Sequence, residues 1–203
     1  PRALADLLVN PAPTHTDHMI RDHLTEHTVS WARVDAGNGA ALIDAWLAAI
    51  TETLYPRSEN RVADARQRFE RAAGRSLRHH LQPLLTGEVM IAELETQNTT
   101  EAAFALWLGA SQPAQAAREL MLASNNLGIE VGRARYYTNT VYRITIDETT
   151  TLYISPRNDS LLATTSEQTM HRLLSSHAIT RYPAASEPGN GMRIYWNKWK
   201  LEE

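Results

Sequence analysis

The chain contains no cysteine, and that absence removes disulfides, thiolate metal ligands and a thiol nucleophile together. Such a composition suits a cytoplasmic protein and equally an exported one that must refold without redox help. No run of about 18 or more apolar residues exists, so no membrane span is expected. No basic stretch followed by an apolar one opens the sequence, so a secretory signal is not visible either. Pro1 at the start fits loss of an initiator methionine, or a fragment of something longer. Strong charge of one sign is also missing. Lys plus Arg number 20 against 23 Asp plus Glu, a formal net of −3. No single stretch stands out as cationic, which argues against nucleic acid as the main partner. A glycine-rich phosphate loop, a nucleophile elbow and an EF-hand loop are absent as well.

What is present fits a folded chain of 203 residues, with 43% hydrophobic and 21% charged residues, well away from the composition of disordered sequences. Helical spacing is read in Ala3 to Val9, in Asp17 to Val34 and in Ala40 to Leu54, where Leu42, Ile43, Trp46, Leu47 and Ile50 make one stripe. Ser58 caps a further helix to about Ala73, with Gly74 as its stop. Leu77 to Leu85, Glu88 to Leu94, Thr100 to Leu108 and Pro113 to Ser124 continue the helical series. After Gly132 the texture becomes β-rich. Tyr136 to Asp147 alternates, Thr151 to Ser155 and Leu161 to Thr164 follow as strands, Ser166 to Ser176 as a helix, and Met192 to Leu201 as a last strand. The expected fold is a single α+β domain, a predominantly helical body over about 17–132 followed by a small antiparallel sheet over about 135–203.

Three groups of residues could carry chemistry. His23-Leu24-Thr25-Glu26-His27 has the His-x-x-Glu-His spacing of inverted zinc peptidases. On a helix His23 and His27 share a face and can hold zinc, with Glu26 acting on the bound water. Eight histidines in one chain, four of them between His15 and His27, also produce such spacing without any metal. The expectation is therefore no cofactor, with zinc as the alternative. The second group pairs Arg78-His79-His80 with the run from Arg118 to Gly132. Asn125 and Asn126 before Gly128 read as a helix end whose amides satisfy orphan carbonyls. The same residues could orient a polar substrate, with His79 exchanging a proton, Arg78 holding an anion, and the Gly128 amide assisting.

Arg78-His79 and Met121 to Gly128 resemble two motifs of an uncharacterised family of C-terminal domains in bacterial polymorphic toxins and secreted effectors. Those domains carry an Arg-His pair on one helix and Met-Asp-x-x-Asn-Asn-x-x-Gly on a later one. Leu122 stands here where the family has its acid. The resemblance implies a toxin or effector module, exported by specialised delivery machinery and neutralised by a cognate immunity protein. It also implies a possible hydrolytic activity, with Arg78, His79, Asn125 and Asn126 at the active surface. A different reading is a non-catalytic binding or adaptor module. It draws on the third group, the C-terminal run Met192 to Lys200, where alternation puts Ile194 and Trp196 on one face and Tyr195, Asn197 and Trp199 on the other. Tyr195 and Trp199 are the binding candidates of that face.

Overall fold

The computed structural model describes residue 25 and residues 28–54, 61–95, 103–175 and 193–196; of residues 49–54, 61–62 and 193–196 only the backbone is described. Its centre is an eight-stranded sheet in which every pairing is antiparallel. In chain order the elements are β1 (Thr28–Asp35), α1 (Gly39–Leu54), α2 (Arg61–Ala73), two short helical turns over Leu77–Leu81 and Gln82–Leu84, β2 (Leu85–Leu94) and β3 (Ala103–Ala110). There follow α3 (Pro113–Asn126), β4 (Glu130–Tyr136), β5 (Asn139–Thr145), β6 (Thr151–Pro156), β7 (Ser160–Thr164), α4 (Glu167–Ser175) and β8 (Arg193–Trp196). The spatial order is β4-β5-β6-β7-β3-β2-β1-β8. Two meanders, β1 to β3 and β4 to β7, thus meet along β3 and β7, and β8 closes the outer side of β1.

This corrects the expectation of a helical body followed by a small sheet, because helices and strands are interspersed along the chain. β1 falls inside the stretch read as a helix from Asp17, and β2 and β3 replace the helices expected over Glu88 to Leu94 and Thr100 to Leu108. The reason lies in the residues on the less covered face. In β2, Met90, Ala92 and Leu94 are buried on one side, but Val89 and Ile91, the latter 49% exposed, put apolar side chains on the other as well. Apolar residues on both faces erase the alternation that marks a strand, and Ala, Met, Leu and Glu favour helix in isolation. Cross-strand pairing overrides that preference. Expected elements near Ala3 and from Asp17 to Glu26 lie outside the described residues, Thr25 excepted.

Helices cover both faces of the sheet. On one side Ile43 and Leu47 of α1 and Ala116, Ala117 and Met121 of α3 pack onto Ile144, Ile154, Leu161 and Ala163. On the other, Met170, Leu173 and Leu174 of α4 pack with Met90, Ala92, Trp107 and Leu162. Trp107, 1% exposed, sits between its register partners Met90 and Leu162. Burying each large side chain of this kind is worth about 1.5–3 kcal/mol. The link between β1 and β2 is equally specific. Asn38 accepts the Ala41 amide at 2.9 Å to start α1. Gly87, at φ +97°, lies where an added Cβ would meet the Asn38 nitrogen at 2.5 Å. Among the described residues no helix is long and apolar enough to cross a membrane.

Candidate functional site

The ends of α2 and α3 are tied together by polar contacts that decide which of the candidate residues remain accessible. Gly74, at φ +60°, ends α2 and leaves the Ala73 carbonyl open. The Asn126 amide donates to that carbonyl at 2.6 Å, capping a neighbouring helix rather than its own. Arg75 Nε donates to Glu119 Oε2 at 2.9 Å, and its Nη2 reaches the same carboxylate. Glu70 accepts the Leu77 amide at 2.6 Å and the Ser76 hydroxyl at 3.2 Å, which fixes the 77–81 turn. Buried Leu77 anchors that turn, so Arg78 and His79 are directed outward and exposed, while His80 Nδ1 engages the Ser76 carbonyl at 3.0 Å.

On α3 the buried residues Ala116, Ala117 and Met121 pack against the sheet, and Ala123 is buried as well. Gln115, Arg118, Leu122 and Asn125, spaced three and four apart, form the opposite stripe and are exposed. Gly128, at φ +76°, turns the chain out of the helix. Its amide donates to the Asn125 carbonyl at 2.9 Å, so it is spent on the helix end and not available to a substrate. The fold therefore brings the 77–81 turn and α3 into contact. It leaves Arg78, His79 and Asn125 on the surface and commits Asn126 to structure.

The same region reveals a cationic face that overall charge conceals. Residues 61–80 hold six arginines and, as acids, only Asp64 and Glu70, so the even spread of cations read from the sequence does not hold there. Arg66 pairs with Asp44 and Arg75 with Glu119. Arg68, Arg71, Arg78 and Arg118 are exposed and make no ion pair among the described residues. Leu122, 41% exposed, lies one turn after Arg118 on the same stripe of α3, and Leu127, 37% exposed, follows the end of that helix. Only Lys198 and Lys200 are lysines, so this face is built of guanidinium groups.

A second group lies across the sheet. The Tyr136 and His171 rings stack with centroids 4.0 Å apart, and Tyr137 meets His171 edge-on at 6.2 Å. Tyr136 donates its hydroxyl to the Glu167 carboxylate. That bond, together with burial and the nearby negative charge, pushes the Tyr136 pKa up to about 12. Burial, and then Glu167, also raise that of Tyr153. Next to this group a cleft of about 510 Å³ is lined by Thr138, Asn139, Arg157, Asn158 and Leu174, among others. Arg157 Nη1 donates to Asn139 Oδ1 at 3.0 Å. No motif in the sequence marks these residues; the one cue is the turn signal Pro156-Arg157-Asn158-Asp159. Elsewhere Glu88, 1% exposed, is ion-paired with Arg33 inside the sheet and stands opposite Asp35.

Tyr195 pairs with Trp31 across β1 and β8, and only its backbone is described. Trp199, His23, Glu26 and His27 lie outside the described residues. Among the described residues no group of three or more His, Cys, Asp or Glu is placed to hold a metal ion. No family model, no curated protein and no solved structure matches the chain.

Proposed function

We propose that the chain is a binding module that grips an acidic protein surface through the outer face of α2, the 77–81 turn and α3. The observation that supports this is the set Arg68, Arg71, Arg78 and Arg118, exposed and without ion pairs among the described residues, beside exposed Leu122 and Leu127. Arginine holds carboxylates in bidentate geometry and is weakly hydrated, so it loses little on entering an interface. Apolar residues and arginine, with lysine nearly absent, match the make-up of protein interfaces more closely than that of a phosphate-tracking groove. The overall net charge of −3 further disfavours nucleic acid.

The effector reading attaches to this same face, because Arg78 and His79 and, from the Met121 to Gly128 element, Leu122 and Asn125 are exposed there. On that reading the partner to test first is an acidic immunity protein, and delivery is by specialised export machinery. A hydrolytic version finds less support. Asn126 and the Gly128 amide are already engaged, and Arg78, His79 and Asn125 are exposed, where water screens the interactions on which catalysis depends. A photo-crosslinking residue at position 122, introduced in the source cell, tests the binding reading. The expected product is a salt-sensitive adduct with an acidic protein that disappears in the Arg71→Glu/Arg78→Glu variant. An adduct indifferent to that charge reversal, or one with nucleic acid, counts against it.

A further inference from the structure

We infer that the cleft between the β4–β5 turn and the 156–158 turn is a second, separate site that binds a small organic anion carrying a ring. Its volume, about 510 Å³, lies within the range of about 300–1,000 Å³ usual for small-ligand sites. Arg157 is the single charged residue among its lining residues, and no carboxylate lines it. Asn139 accepts from one guanidinium nitrogen, which orients Arg157 and leaves its other donors for a ligand. Thr138 and the Asn139 and Asn158 amides add further donors, so the complementary ligand is rich in acceptors, as a phosphate or carboxylate is.

Tyr137 offers the aromatic face for the ring. It is the one non-glycine residue with positive φ among the described residues, at +56°, and its side chain is 66% exposed. A bulky residue pays strain in that conformation, and such strain concentrates where it positions a functional group. His171 supports the Tyr137 ring edge-on, and Leu174, one helical turn along α4 from His171, lines the cleft. Tyr137 does not line the cleft but directly precedes its lining residue Thr138, so a ligand anchored at Arg157 by an anionic group would reach the Tyr137 ring at the rim.

Phenyl phosphate is the probe, compared with inorganic phosphate, in NMR titrations of the whole chain. Saturable shifts of the amides at 137–139 and 157–158 are expected with phenyl phosphate. Inorganic phosphate should bind roughly ten-fold more weakly. Arg157→Gln should weaken phenyl phosphate by roughly ten-fold or more, through loss of a charge-assisted contact. Tyr137→Gly removes the ring without removing the turn, and should lower affinity for phenyl phosphate but not for phosphate. Overturning outcomes are the absence of saturable binding, equal binding by well-folded Arg157→Gln, or phosphate binding as tightly as phenyl phosphate. The acidic-partner reading uses different residues and stands or falls separately.

Discussion

Two neighbouring asparagines show how differently adjacent residues are used. Asn126 satisfies the Ala73 carbonyl of α2, while Asn125 is exposed on the outer stripe of α3. Asn126→Ala is expected to cost about 1 kcal/mol in chemical denaturation, the value of a lost capping bond, and Asn125→Ala less than about 0.5 kcal/mol. Equal losses would mean that the cap is not holding the helices together. Tyr137→Gly should raise stability by about 0.5–1 kcal/mol, because relief of left-handed strain exceeds the lost ring contact and the entropy of glycine. A destabilised variant would show that the turn is unstrained. Of these roles, the asparagine-glycine helix end was legible in the sequence. The partner of the amide was not, because Ala73 is distant in the chain. Tyr137 escaped notice because alternation from Tyr136 to Asp147 runs straight through the turn, which lacks the glycine that usually marks a two-residue hairpin.

Among the elements, those with a clear apolar stripe or bounding turn residues were readable, and strands with apolar residues on both faces were not. α1, α2, α3 and α4 carry apolar stripes at helical spacing, and β6 and β7 lie between turn residues. β2 and β3 lie mid-sheet with one face buried, but Ile91, 49% exposed, and Phe104, 52% exposed, put apolar residues on the other face too, so the sequence shows no clear alternation. Their position depends on Gly87, which permits α1 to start against the β2 backbone. Gly87→Ala should cost at least about 2 kcal/mol, since it combines positive-φ strain with a clash against the Asn38 backbone. A thermal melt unchanged from the parent would refute this. The docking of α4 is tested by pH. The folded Tyr136 has its pKa raised from 10 to about 12, so the fold favours the neutral hydroxyl that donates to Glu167. Its contribution is complete below pH 10, fades as the pH rises toward 12, and is lost above that. Between those values the parent should lose more stability than Tyr136→Phe, as measured by denaturant titrations at each pH. Parallel losses in the two proteins would show that the bond contributes nothing.

At the scale of the whole molecule, the three-layer arrangement sorts the polar chemistry to two places. The layer formed by α1, α2 and α3 exposes arginines near the end of α3, whereas the Tyr137 turn lies beside α4 and the cleft next to it is lined by the start of α3 as well as by Leu174. Neither was visible in bulk charge, because acids elsewhere in the sequence balance the six arginines of residues 61–80 to a net of −3. Folding separates what composition averages. The central claim, that this arginine face binds an acidic protein, is tested most directly by the affinity of the partner crosslinked at position 122 for the parent and for Arg71→Glu/Arg78→Glu/Arg118→Glu. With about 1 kcal/mol lost at each position, the triple variant should bind roughly 100-fold more weakly at low salt while melting at the same temperature. Binding within about two-fold of the parent would contradict the claim.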